Sequence, residues 1–301
     1  MTSRRNFLQT SLLTGIGLTL TQTNLFAALL QQDLPYNMTM LRNNVGYFTE
    51  KGGTIAYMIS KSGICIVDTQ FPEQSEHLIA AVKKQSDRNI DLLVNTHHHG
   101  DHTSGNIAFK GLINQLVAHE NSKSNQMRVA KENGTERAQL YPDTVFQKEW
   151  KTKVGDETIS LQYHGAAHTD GDALVHFENA NIVHAGDLVF NRRFPYIDKS
   201  AGASVQNWIE VLEKATTSYD KDTKFIFGHS DNGYEVVGNI EDIKAFQRYL
   251  SKLLETVRSA IKLGKSEEEI MKITSISGAD QWKGDGISRS LSAAYLELAN
   301  K

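Results

Sequence analysis

Apolar positions along this chain recur with two periods, and the periods alternate. Val45-Gly46-Tyr47-Phe48-Thr49 and Thr54-Ile55-Ala56-Tyr57-Met58 flank a Glu50-Lys51-Gly52-Gly53 turn, which predicts a hairpin over 45–60. Ile64 to Val67 is a short apolar run ending in Asp68, as in a buried strand. A helix is predicted from Glu73 to Lys84, with Leu78, Ile79, Ala81 and Val82 inward. The strand Ile90–Asn95 then runs straight into Thr96-His97-His98-His99-Gly100-Asp101-His102. A second set of strands is predicted at Thr158–Tyr163, Ala173–Phe177, Asn181–His184 and Lys224–Phe227, with helices at Val205–Thr216, Ile240–Leu263 and Ser266–Ile273. Strands alternating with helices, and no long Pro- or Ser-rich linker between them, predict an α/β layered domain.

The N-terminus departs from this pattern. Arg4 and Arg5 precede a stretch, Asn6 to Gln32, with no charged side chain but with Thr, Gln, Asn and Gly throughout. It is too polar for a stable membrane span, which needs about 20 predominantly apolar residues. A basic pair before a weakly apolar segment is the pattern of a twin-arginine export signal, so residues 1–27 are expected to be a cleaved leader and 28–301 the working domain, periplasmic and without a membrane anchor. Removing 1–27 takes away two positive charges and no negative one, so the net charge of −3 becomes −5.

Composition narrows the function. No Lys/Arg-rich run occurs, which argues against a nucleic-acid partner and leaves a small molecule as the expected one. A single cysteine, Cys65, excludes an internal disulfide framework and any four-Cys metal module. Eleven histidines are the unusual count, and their placement carries the chemistry.

Five short strands end in a residue able to ligate a metal: Asp68, the His97–His102 cluster, His168, Asp187 and His229. Residues at equivalent strand ends converge in space. His97, His99, Asp101 and His102 read H-x-H-x-D-H. Alternate side chains on an irregular loop point together, so His97 and His99 suit one ion, with His168 completing its shell. Asp101 and His102 turn to a second ion, completed by His229, and Asp187 bridges the two. Imidazole and carboxylate without thiolate suit Zn²⁺, with Fe or Mn as alternatives, and positions left open for water mark a catalytic site. His98 is expected to face away from this cluster.

These seven residues, in order and in spacing (66 residues from His102 to His168, 19 to Asp187, 42 to His229), resemble the metallo-β-lactamase superfamily of binuclear metallohydrolases. The resemblance covers about Met40 to His229. It implies an αββα four-layer sandwich with two Zn²⁺ ions at the edge of two sheets, and Asp68 holding a ligand histidine in orientation. It further implies that a hydroxide between the metals attacks the carbonyl of an ester, lactone, thioester or β-lactam, with Asp101 relaying the proton. Members of the clinical β-lactamase type usually carry Cys, or no ligand, where this chain has Asp187, so the match favours a general hydrolase. An iron-dependent sulfur dioxygenase and a phosphodiesterase on the same fold are the alternatives.

Other residues carry weaker signals. Arg192, Arg193, Tyr196 and Lys199 form a loop that either receives a substrate carboxylate or is a solvated rim. Tyr47, Phe48 and Gly52-Gly53 form either a flap over the site or an idle hairpin tip. His77, His119, His164, His176 and His184 read as packing or surface residues, and Cys65 as a core hydrophobe. The apolar stripe of Ile240–Leu263 reads as core, with a dimer contact as the lesser alternative. The pattern commits the chain to no oligomeric state.

Overall fold

The structure of the chain, a computed structural model, describes residues 34–299. The expected leader, residues 1–27, lies outside the described residues. Residues Met38 onward form one compact unit.

Two sheets carry the fold. The first has seven strands in sequence order: β1 (Asn37–Arg42), β2 (Val45–Thr49), β3 (Ile55–Ile59), β4 (Ile64–Val67), β5 (Leu92–Val94), β6 (Leu116–His119) and β7 (Thr144–Phe146). β2, β3 and β4 pair antiparallel, and β4 through β7 pair parallel. The second has six, in the order β13 (Val237–Gly238), β12 (Lys224–Ser230), β11 (Ile182–Asn191), β10 (Leu174–Phe177), β9 (Glu157–Gln162) and β8 (Glu149–Val154).

Period-two alternation sorts the side chains into layers. Cys65, Val67, Leu92 and Val94 of the first sheet pack against Ile159, Leu161, Val175 and Phe177 of the second, forming the core between the sheets. Their neighbours Ile64, Ile66 and Leu93, equally buried, face the other way. The first sheet is flanked by α1 (Pro72–Lys83) and, after the four-residue α2 (Gly100–Thr103), by α3 (Glu120–Asn133). Over the second sheet lie α4 (Val205–Ser218), α5 (Ile240–Lys262) and, past the short α6 (Glu267–Ile270), α7 (Ile287–Ala299). Trp208, Phe246, Leu250 and Leu291 from these helices bury against Phe225 and Phe227 of β12. Two sheets between two helical layers are the αββα sandwich. The stripe on α5 is core, and no helix among the described residues is long and apolar enough to cross a membrane.

The C-terminal helix is tied down by a buried acid. Glu297 on α7 accepts hydrogen bonds from Val205 N and Gln206 N at the start of α4, where unpaired amides favour an anion. This contact pulls the end of the chain back toward the loop that follows β11.

Candidate metal centre

The seven residues singled out from the sequence come together at one edge of the two sheets. Asp68 and the His97–His102 loop follow β4 and β5, as expected. His229 lies inside β12, and Asp187 sits within β11, which continues to Asn191. Asp187 therefore does not end its strand, contrary to the sequence expectation. A register shift against β12 on either side of Gly186 marks a bulge that re-aims the following side chain. Gly186 has φ +50°, and a Cβ there would lie 2.6 Å from Thr96 Oγ1, so the bulge needs glycine. Gly228 on β12 is required for another reason, since a Cβ there would collide with Asp187 Oδ1.

Two groups of donor atoms result, each within 4.8 Å of one another: His97, His99, His168 and Asp187 in one, and Asp101, His102 and His229 in the other. His99 Nδ1 lies 3.0 Å from His97 Nε2 and 2.9 Å from His168 Nε2. In the second group, His229 Nε2 and Asp101 Oδ2 are 3.1 Å apart, with His102 Nε2 at 3.7 Å. Asp187 faces both. Its Oδ2 is 3.4 Å from His168 Nε2 and 3.9 Å from His97 Nε2, while its Oδ1 is 3.1 Å from His102 Nε2 and 3.5 Å from His229 Nε2.

Counting protons shows what these nitrogens offer. The rear nitrogen of each of four rings meets an acceptor. His99 Nε2 lies 2.9 Å from Asp198 Oδ2, His168 Nδ1 2.7 Å from Tyr196 O, and His102 Nδ1 2.7 Å from Asp68 Oδ2. His97 Nδ1 is 3.0 Å from Thr96 Oγ1, whose single proton goes to Asp68 Oδ2, so the hydroxyl accepts from the ring. Each ring thus donates outward and, when neutral, turns a lone pair inward. The contact of His102 Nε2 with Asp187 Oδ1, though short, lacks hydrogen-bond geometry, and both atoms are buried without a hydrogen-bond partner. Converging ring nitrogens beside a buried carboxylate oxygen that no hydrogen bond satisfies are a cation site.

The electrostatics agree. Burial, reinforced by neighbouring imidazoles, holds His97 well below the ordinary histidine value and His168 at about 3, leaving both as neutral ligands. Burial would also depress His102 and His229, but Asp187 and the other carboxylates outweigh it, raising His102 well above the ordinary value and His229 to about 9. Burial would raise Asp101, and His102 and His229 instead hold it at about 2. The field at the second group therefore favours added positive charge.

The supports are set in strained or closely packed backbone. Asp68, fully buried at φ +66°, takes hydrogen bonds from Thr96 N, Thr96 Oγ1 and His102, so the contact implied by the resemblance is present. Asp198 plays the matching part for His99, and no spacing rule pointed to it. Burial would raise its carboxyl, but the imidazoles of His98 and His99 with Ser200 hold it well below the usual carboxylate range. His98 stays out of the seven-residue cluster, with Nε2 3.4 Å from Asp198 Oδ2. His184 is a packing residue that donates to Thr54 O and accepts from Gly186 N.

Two readings that the sequence left open are resolved. Tyr47 and Phe48 are core residues, and the Gly52-Gly53 turn is pinned by Gly53 N to Asp101 O (3.1 Å) and Gln70 to Gly53 O, so it is a wall and not a flap. Of the loop residues, Arg192 is held by Gln281, Asp242 and the Trp282 ring, and Lys199 by Ala203 O and Glu297. Arg193 and Tyr196 do line the cavity of about 360 Å³ over the site, with Asp285 and Arg289, which the sequence did not single out.

A layered αββα fold carrying such a centre defines a class of metal-binding proteins, and comparison with known proteins places the chain within it. Residues 51–269 match the family model described as the metallo-beta-lactamase superfamily, and the chain belongs to that family. It is 24% identical over 181 residues to the metallo-beta-lactamase IND-1 of Chryseobacterium indologenes, covering 58% of this chain and 70% of that protein. It is 24% identical over 215 residues to a hydroxyacylglutathione hydrolase of Pelagibacter ubique, covering 67% and 80% respectively. A metallo-beta-lactamase structure from Pontibacter korlensis superposes with a TM-score of 0.60 at 19% identity, over 72% of this chain and 99% of that one.

Proposed function

We propose that this chain is an exported hydrolase that holds two divalent cations, zinc by the character of its donors, and opens the carbonyl of an ester, lactone, thioester or β-lactam. The observation that carries this reading is the convergence of imidazole nitrogens on two clusters, with one oxygen of Asp187 turned to each. His97, His99 and His168 would hold one cation, Asp101, His102 and His229 the other. Bound there, such cations would supply Lewis acidity toward a carbonyl and acidify water at neutral pH.

The chain's own residues do the rest. Asp101 is the ligand carboxylate most open to the cavity, at 31% side-chain exposure, where it can accept the proton of an attacking water. Asp198, Asp68 and Tyr196 O fix the ring orientations. Phe190 and Phe194 cover the cavity's apolar side and limit water. Arg4, Arg5 and the uncharged stretch after them support export to the periplasm by the twin-arginine route.

Asp198→Asn tests the support layer. Oδ1 of Asp198 caps the turn at Ser200 and Ala201, a role the amide oxygen of Asn preserves, while the charge facing His99 is lost. Metal affinity is expected to fall about 10–100-fold, read by competition with a chromophoric chelator, with little change in the melting temperature of the metal-free protein. The activity itself is tested with zinc-loaded and chelated protein on a carbapenem, a chromogenic cephalosporin, a lactone and a thioester. Metal-dependent turnover of at least one is expected. A protein holding two metals and inert to all four carbonyl classes contradicts the hydrolase reading.

A further inference from the structure

Beside the metal centre lies a second cavity of about 350 Å³, and the two share Tyr196 and Arg289 as their common wall. Their linings differ. The first combines metal-centre residues with two arginines, whereas the second is walled by Ile197, Met271, Ala293 and Leu296, among more polar residues. Met271 and Leu296 are 37% and 41% exposed, unusual for large apolar side chains bordering a polar site.

The arginines on the first cavity are available. Neither the Arg193 nor the Arg289 guanidinium has an ion-pair partner among the described residues, in contrast to Arg192 and Lys199 on the same loop. Asp285 lines the same cavity without pairing to either. Arg289 lies over the Tyr196 ring at 5.8 Å, and that ring is 5.3 Å from the ring of His99, so the cation stands one aromatic ring away from the centre. The wall is also braced. Phe194 N donates to Lys283 O, Lys283 N to Arg192 O, and the buried Ser290 hydroxyl to Pro195 O. Arg289 and its helix fall beyond the segment that matches the family model.

We infer that the substrate is an amphipathic anion, with an acidic group held by Arg193 and Arg289 at the mouth of the metal centre and an apolar tail lying in the adjoining cavity. This rests on the hydrolase reading for the bond that is cleaved, but not for how the molecule is held. Guanidinium forks match carboxylate, sulfate and phosphate oxygens. The apolar walls remove a hydrocarbon chain from water. Tyr196 and Arg289, common to both cavities, fix the distance between head and tail.

The test is equilibrium binding to metal-loaded protein of octanoate, of acetate, which lacks the tail, and of octanamide, which lacks the charge. Octanoate is expected to bind about ten-fold or more tightly than either. Arg193→Ala should weaken octanoate several-fold and leave octanamide unchanged, and Arg289→Ala, which also removes part of the second cavity's wall, should weaken octanoate more than octanamide. Met271→Gln should weaken octanoate and octanamide alike and spare acetate. Metal content is measured in every variant and should not move. Tighter binding of octyl sulfate than of octanoate assigns a tetrahedral oxyanion as the head, and the reverse a carboxylate. Octanoate binding no better than acetate, or insensitive to both arginines, overturns the inference even in a protein that hydrolyses carbonyl substrates. The expected binding pattern in a metal-loaded protein inert to all four carbonyl classes overturns the hydrolase reading and leaves the two-part site standing.

Discussion

Asp187→Asn is expected to leave a folded protein with about one metal ion or none per chain and with turnover reduced on the order of a thousand-fold, equivalent to about 4 kcal/mol of lost transition-state stabilisation. The side chain is 4% exposed and its two oxygens face different clusters, Oδ1 toward His102 and His229, Oδ2 toward His97 and His168. Asparagine keeps the size and one oxygen but removes the charge. Whichever way it turns, its amide nitrogen presents N–H donors to one cluster, where a ligand lone pair is needed. Elemental analysis and initial rates on the same preparation check the result. Two metals and an undiminished rate would show that Asp187 is no bridging ligand.

Removing the metals from the wild-type chain is expected to abolish turnover and lower the melting temperature by about 8 °C or more. Ligands present at about a thousand times their dissociation constants stabilise a fold by about 4 kcal/mol, and each kcal/mol moves the transition by about 2–4 °C in a chain approaching this size. The protein should nevertheless remain folded. Protons can substitute for cations at the second cluster, because Asp187 and its neighbouring carboxylates raise His102 well above the usual value and His229 to about 9. Differential scanning calorimetry with and without chelator, followed by zinc add-back, reads both the loss and its reversal. A melting temperature and a rate indifferent to chelation would contradict a metal centre.

The parts of the fold that were legible from the sequence are those whose apolar spacing is set by burial on a sheet face or helix stripe. β2 to β5, β9 to β12, α1, α4 and α5 all have this property. The missed elements lack it for identifiable reasons. α3 buries Ser122, Asn125 and Gln126 with Ala130, so its inward face is polar and leaves no helical stripe. β8 alternates Glu149, Lys151 and Lys153 with half-buried partners at the edge of its sheet, and β6 is only four residues long. α6 proved shorter than the predicted Ser266–Ile273 helix, running Glu267–Ile270 behind a Ser266 cap.

In the site, His97, His99, Asp101 and His102 were legible because four of the seven residues fall within six consecutive positions, where spacing is geometry. Asp198, Asp285 and Arg289 were not. Asp198 reaches His99 through a long-range pairing of the loop after β11 with the histidine loop, and Asp285 and Arg289 border the cavity where Glu297 and Ser290 tie the C-terminal helix to α4 and to that same loop, contacts that no local spacing encodes.

The most direct measurement is the metal content of the chain purified without chelator or added metal, read by inductively coupled plasma mass spectrometry against the folded protein concentration. Close to two divalent transition-metal ions per chain is the expected result. A folded preparation that turns over substrate with none bound would contradict the assignment of His97, His99, Asp101, His102, His168, Asp187 and His229 as a two-metal centre.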